Sequence, residues 1–336
     1  MGLGHQVRRR AFITVLAGAT AWRLAGQAQQ SEPLRRVGWL MAFPENDLRT
    51  QAYVTSFAQA LGSLGWVEGK NIRIDYRFAA GDPMLFKSYA AELVGLLPNA
   101  ILATTTPAAE ALRQQTRTIP IVFALVADPV GLGLVRSLSR PGGNITGFSS
   151  YDAAMMGKWL QLLKEVAPNI TRVAIIFNPD TAFAPPFLHE IEAVPSLGVT
   201  VALAPVHDDT AIEVAFAAQA REPGGGLIIL PDSFNSTHRD VIVADAARHG
   251  LPLIGVDMFP KAGGLMSYWF DSVKLNAQAA SYIDRFLRGA SPADLPVQEP
   301  TRYSLIINLK TANALGLTCR QACSISPMRS SNSSRL

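Results

Sequence analysis

Between Ile121 and Ala127 the chain reads IVFALVA, with no polar residue, and then stops at Asp128-Pro129. A run of that length and character suits a parallel strand covered by helices on both faces. The carboxyl end of such a strand opens onto the ligand crevice of an α/β sheet, so Asp128 sits where a solute would meet it. The following residues predict a helix over Gly131 to Leu138, a Pro141-Gly142-Gly143-Asn144 turn and a short strand from Ile145 to Phe148. After Ser149-Ser150 a new amphipathic pattern begins, with Asp152 as its N-cap. This point is read as a crossing between two lobes.

Strands and helices alternate with short connections on both sides of that crossing. Before it come strands Val37 to Ala42, Asn71 to Phe78 and Ala100 to Ala103, with helices Leu48 to Leu64 and Asp82-Pro83 to about Leu96. After it come helices Met155 to Val166, Phe187 to Val194, Asp209 to Ala220, Ser236 to His249 and Ser272 to Leu287. The strands of this half are Arg172 to Phe177, Val199 to Ala204, Gly226 to Leu230, Leu253 to Val256 and Tyr303 to Leu309. Four strands end in Asp128, Asn178, Asp232 and Asp257, which points to a shared cleft, although turn chemistry alone also favours polar residues there. Thr105 and Thr106 precede Pro107 at a helix start, either as an anion site or as a simple threonine cap. The pattern predicts an α/β fold of two doubly wound parallel-sheet lobes joined by a multi-strand hinge, able to close on a ligand.

Charge is distributed unevenly along the 336 residues. The formal net charge is +4, but residues 1–28 hold four Arg and no acid, and residues 319–336 hold three Arg and no acid. The stretch between them carries 23 Lys and Arg against 26 Asp and Glu, so no basic face remains for a nucleic acid. Arg8-Arg9-Arg10, an apolar segment from Ala11 to about Ala21 and small residues at Gly26-Gln27-Ala28 read as an export signal over 1–28. Arg9-Arg10-Ala11-Phe12-Ile13 fits the twin-arginine route, and an ordinary secretory signal is the alternative. Either route ends outside the cytoplasm, which gives a periplasmic protein.

The segments Pro120-Ile121-Val122-Phe123, Asp128-Pro129-Val130-Gly131, Pro141 to Gly147 (PGGNITG), Asn178-Pro179, Gly263 to Tyr268 (GGLMSY) and Asn308 to Ala312 (NLKTA) carry a resemblance. In this order and spacing they resemble the extracytoplasmic substrate-binding proteins of ABC transporters with the type I periplasmic-binding-protein fold. More narrowly, the chain is similar to the family whose characterised members bind aromatic amino acids such as tryptophan, over roughly 34 to 318. The resemblance implies a first lobe of 34–148 plus 269–318 and a second of 149–268. It implies a clamp that passes a small solute to a permease driven by an ATPase, without catalysis, cofactor or metal. Thr105 and Thr106 would hold a carboxylate and Asp128 an ammonium. Asn178, Asp257 and Tyr268 would face them, with Ser149 at the crossing. Phe43 and Phe234 would stack on an aromatic ligand, or serve as core. After Asn178-Pro179 the aromatic-amino-acid binders resemble a Gly-Glu-Ala-Asn-Ser run, whereas this chain has Asp180 to Pro186 (DTAFAPP).

The ending departs further. Relatives resemble a continuation into Pro-Pro-Ser-Leu-Leu and an acidic close, whereas residues 319–336 are Ser-rich and Arg-rich and hold both cysteines. An allowed back-translation of 319–333, read two bases out of frame, spells Pro-Pro-Ser-Leu-Leu-Asn-Leu-Ala-Asp-Glu-Val-Ile-Glu and a stop. A frameshift after Thr318 is therefore expected, with a disordered tail. Among competing classes, an enzyme would have to use Asp128 with Asp257 as a carboxylate pair, with no nucleophile or base beside them. The histidines His5, His189, His207, His238 and His249 lack metal-ligand spacing, and no G-x-S-x-G elbow is present. A periplasmic sensor feeding a membrane receptor is the other alternative.

Overall fold

Residues 34–150, 155–181 and 197–317 are described by a computed structural model. The signal, the Asp152 cap, the Phe187 to Val194 helix and the 319–336 tail lie outside the described residues.

The first sheet is built from β1 (Arg35–Met41), β2 (Ile72–Phe78), β3 (Ala100–Thr104), β4 (Ile121–Val126) and β5 (Ile145–Ser149). All pairings are parallel, in the order β2-β1-β3-β4-β5. The helices between these strands are α1 (Leu48–Ser63), α2 (Pro83–Gly95) and α3 (Thr106–Gln115). Asp47 and Asp82 cap α1 and α2 by accepting from backbone N–H groups two residues on. The β4 run is buried except at Leu125, as expected of a strand covered on both faces.

The second sheet contains β6 (Arg172–Phe177), β7 (Thr200–Pro205), β8 (Gly225–Ile229), β9 (Leu253–Gly255), β10 (Met266–Trp269) and β11 (Ser304–Ile307). Its order is β11-β10-β9-β8-β6-β7. Apart from antiparallel β11 it repeats the strand order of the first sheet, so the two halves are doubly wound in the same way. Its helices are α4 (Met155–Val166), α5 (Asp209–Ala220), α6 (Ser233–Thr237), α7 (Arg239–Arg248) and α8 (Met258–Ala262).

The chain then returns. Helix α9 (Ser272–Leu287) packs on α1 and across β3, β4 and β5, covering the first sheet with its Leu275, Ala279, Ile283 and Phe286 face. A buried chain of polar contacts ties it there: Trp39 Nε1 donates to Thr104 Oγ1 at 2.9 Å, and Thr104 Oγ1 donates to Asn276 Oδ1 at 3.3 Å. Beyond α9, Ser149 N–H donates to the Gln298 carbonyl and Gln298 N–H to the Gly147 carbonyl. Two of the three connections between the sheets therefore lie side by side.

Several expectations are corrected. The last strand, expected in the first lobe, is β11, and it pairs antiparallel with β10 in the second sheet. Its sequence is equally apolar in either place; the β10 edge, the Tyr268–Tyr303 stack with ring centroids 5.6 Å apart, and Asn308 N–H donating to the Leu265 carbonyl at 2.8 Å hold it in the second sheet. The strand also ends at Ile307, because Asn308 caps a final helix, α10 (Leu309–Ala314). Gly131 to Leu138 is a run of turns rather than a helix. Asp128 Oδ1 accepts from Gly131 N–H, Gly133 adopts φ +63°, and the Leu134 and Val135 N–H groups fold back to the Pro129 carbonyl. The expected Ser236 to His249 helix starts earlier, at Ser233, because Asp232 caps it, and breaks at His238.

Candidate ligand cleft between the lobes

In an open sheet of this winding the crevice lies where the strand order reverses. Here that point is between β1 and β3 in the first sheet and between β6 and β8 in the second. The residues just past these four strands are Phe43, Thr105, Asn178 and Pro231-Asp232. Two adjoining cavities lie between the lobes. One is lined by Phe43, Arg49, Tyr53, Trp269, Val256 and Ser272. The other is lined by Thr106, Pro107, Ala127, Thr181, Leu230 and Ser233. Thr105, Leu125, Ser150, Pro231 and Asp232 border both. The first compartment is aromatic and the second polar.

Backbone strain collects at their shared wall. Thr105 occupies φ +86°, a costly conformation for a β-branched residue, and its side chain caps no helix N–H. The Thr105 and Ser233 hydroxyls are buried without a hydrogen-bond partner among the described residues. Thr106 Oγ1 is engaged, accepting from Ala127 N–H at 3.2 Å. Leu125 stands at φ +60° where the β4–β5 register shifts between Ala124 and Val126.

Asp232 faces this wall from the other lobe. It is buried and accepts from the backbone N–H groups of Asn235 at 2.6 Å and Asn178 at 3.2 Å, and from Asn235 Nδ2 at 3.0 Å. Burial pushes its carboxyl up to about 7, against the opposing pull of the Asn235, Asn178 and Phe234 N–H groups.

Toward solvent, a third cavity of ≈ 390 Å³ opens at the cleft mouth between Leu48, Arg49, Arg239, Asp257, Met258 and Lys261. Two ion pairs cross it. Arg49 reaches Asp257 at 3.3 Å, with the side chains 13% and 19% exposed, and Arg239 pairs with Asp47. The Arg49 guanidinium also lies over the rings of Phe43 and Tyr53, 5.5 and 5.9 Å from their centroids.

Of the residues expected from sequence, Phe43, Thr105 and Thr106 line the two inner cavities. Asp257 lines only the mouth and is paired with Arg49 and Lys261. Asp128 borders none of the three cavities; its carboxylate closes its own turn. Neither do Ser149, Asn178, Phe234 or Tyr268 border them. Ser149 Oγ donates to the Val126 carbonyl, and Asn178 positions Asp232 through its N–H. Phe234 stacks on His238 at 4.0 Å, and the Tyr268 carbonyl accepts from Trp159 Nε1. Sequence reading missed Arg49, Tyr53, Leu125, Ser150, Ser236, Trp269 and Ser272 as site residues. Asp232 was noted only as one of four polar strand ends, and that recurrence was the available signal. Among the described residues no cluster of His, Cys, Asp or Glu could hold a metal, and no helix is long and apolar enough to cross a membrane.

Comparisons with known proteins agree with this architecture. The ABC transporter substrate binding protein family matches residues 41–330. The chain is 28% identical over 289 residues to the tyrosine-binding protein of Clostridioides difficile, covering 83% of this chain and 81% of that one. A conserved domain protein from Vibrio cholerae superposes with a TM-score of 0.80 at 29% identity, covering 86% of this chain and 96% of the other. An ABC domain from Streptococcus pneumoniae in complex with L-Trp superposes at 0.77 and 22% identity, over 86% of this chain and 96% of the other.

Proposed function

We propose, from the premise that the chain belongs to the ABC transporter substrate-binding proteins and has their two-lobed type I periplasmic-binding-protein fold, that it is the exported solute-binding component of an importer specific for aromatic amino acids. The observation that carries this reading is the division of the cleft into an aromatic and a polar compartment that meet at Asp232. The aromatic side chain is assigned to the compartment of Phe43, Tyr53 and Trp269, whose free space of ≈ 40 Å³ must widen as the lobes part to admit it. The ammonium pairs with Asp232. The carboxylate lies toward the first turn of α3 and the unpartnered hydroxyls of Thr105 and Ser233, where free N–H groups favour an anion. Asp232 takes the role that the sequence assigned to Asp128, because β8 flanks the reversal point whereas β4 lies one strand beyond it. The tyrosine-binding relative and the L-Trp complex of the streptococcal neighbour support this choice of ligand.

Binding bridges the lobes and shifts the population toward the closed form that a permease would recognise, with no chemistry on the solute. A thermal-shift screen of the chain from Gln29 onward against amino acids, purines and sugars tests the reading. A ligand at a hundred times its Kd stabilises the folded state by about 2.7 kcal/mol. L-Tyrosine, L-tryptophan or L-phenylalanine is expected to raise the melting temperature. A response confined to sugars or purines would refute the assignment.

A further inference from the structure

We propose that Leu125 is the residue that sets which side chains the cleft accepts, by standing as a wedge between its aromatic and polar compartments. This rests on the aromatic amino-acid reading above. Leu125 is the extra residue of a β-bulge: Ala124 pairs with Phe148 and Val126 with Ser149, leaving it without a partner in β5. Bulges bend a strand so that a side chain is re-aimed, and they recur beside binding sites. Its φ of +60° is one that a bulky side chain adopts only when its surroundings enforce it. They do so from both sides. The Ala124 carbonyl accepts from Thr105 N–H at 2.8 Å, and the Val126 carbonyl accepts from Ser150 N–H at 3.0 Å and from Ser149 Oγ at 3.2 Å.

The neighbours Ala124 and Val126 are fully buried in the strand, whereas Leu125 is half-buried and borders both compartments. A glycine would hold this backbone without strain. A leucine is costly there, and what its side chain adds is a wall of the cleft. Changes of one or two methylenes in an apolar pocket shift discrimination by roughly ten- to two-hundredfold.

The test is calorimetric titration of wild type, Leu125→Ala and Leu125→Gly with L-phenylalanine, L-tyrosine and L-tryptophan. Shortening the wedge is expected to move the preference toward L-tryptophan relative to L-phenylalanine by roughly tenfold. Leu125→Gly should do so with a smaller loss of unliganded melting temperature than Leu125→Ala, because it relieves the backbone while both give up the same packing. If all three affinities fall together and their order is kept, Leu125 is structural and the inference is overturned. If wild type binds none of the three, the aromatic reading itself fails, and this inference with it.

Discussion

Asp232 shows how a single side chain carries both a cost and a function. Its carboxyl titrates near 7 in the folded protein and near 3.8 when exposed, so between these values the folded state holds the extra proton. Stability from this group is therefore complete below about pH 4, declines as pH rises and is lost above about 7. Ammonium recognition needs the ionised form, so affinity runs the other way, rising with pH and levelling off above about 7. Asp232→Asn has no titrating carboxyl, so its melting temperature should lose the fall that wild type shows between pH 5 and pH 8, at the cost of one acceptor for the N–H groups of Asn178 and Asn235. It should also bind an amino acid more weakly by about 2–5 kcal/mol and without that pH dependence. Melting curves and titrations from pH 5 to pH 9 check both halves. A variant whose melting temperature still falls between pH 5 and pH 8 would show that Asp232 is not the group that titrates there.

At the scale of elements, the β4–β5 pairing depends on Gly147. A Cβ there would lie 2.0 Å from the Phe123 carbonyl oxygen and 2.6 Å from its nitrogen, both backbone atoms of the adjacent strand. Gly147→Ala must then push the strands apart, at a cost of roughly 3 kcal/mol. The displacement would also move Ser149 and Ser150, whose hydrogen bonds to the Val126 carbonyl fix the bulge. The expected outcome is a denaturation midpoint well below that of wild type, together with weaker ligand binding. A midpoint equal to that of wild type would show that the strands can separate freely. The PGGNITG segment was legible in the sequence, but why its last glycine matters was not, because the carbonyl that crowds it comes from β4.

At the scale of the whole molecule, two ion pairs join the lobes at the cleft mouth. Asp47 and Arg49 at the start of α1 pair with Arg239 and Asp257 of the other lobe, a crossed arrangement that fits only when the lobes meet in register. Burial pushes the Asp47 carboxyl up, yet the hydrogen bonds from Arg239 and from Arg49 N–H outweigh this and hold it below its ordinary range. Partly buried pairs of this kind are screened by salt less than exposed ones. Asp47 also caps α1, so Arg239 is the cleaner position to change. Arg239→Glu sets two carboxylates against each other and should raise the radius of gyration of the unliganded protein in small-angle X-ray scattering, while the melting temperature changes little. Equal scattering from variant and wild type would remove the pairs from any role in closure.

The sequence alone determined the alternation of strands and helices, the apolar β4, the cap at Asp82 and the two-lobed class, because each follows from periodicity and residues a few positions apart. It put Thr105 at a helix start, while Phe43 entered through the family resemblance; both border an inner cavity. Strand order, by contrast, is a long-range property. Hydrogen bonding between edges decided that β3 and β8, and not β4 and β9, flank the two reversal points; Asp232, after β8, borders both inner cavities, and Asp128, after β4, borders none of the three. The same pairing carried β11 to the second sheet, and packing across the lobes brought Arg49, Tyr53 and Trp269 together from distant parts of the chain. Only the tertiary structure could decide these, since the partners lie from tens to more than two hundred residues apart in sequence and meet only in the folded chain.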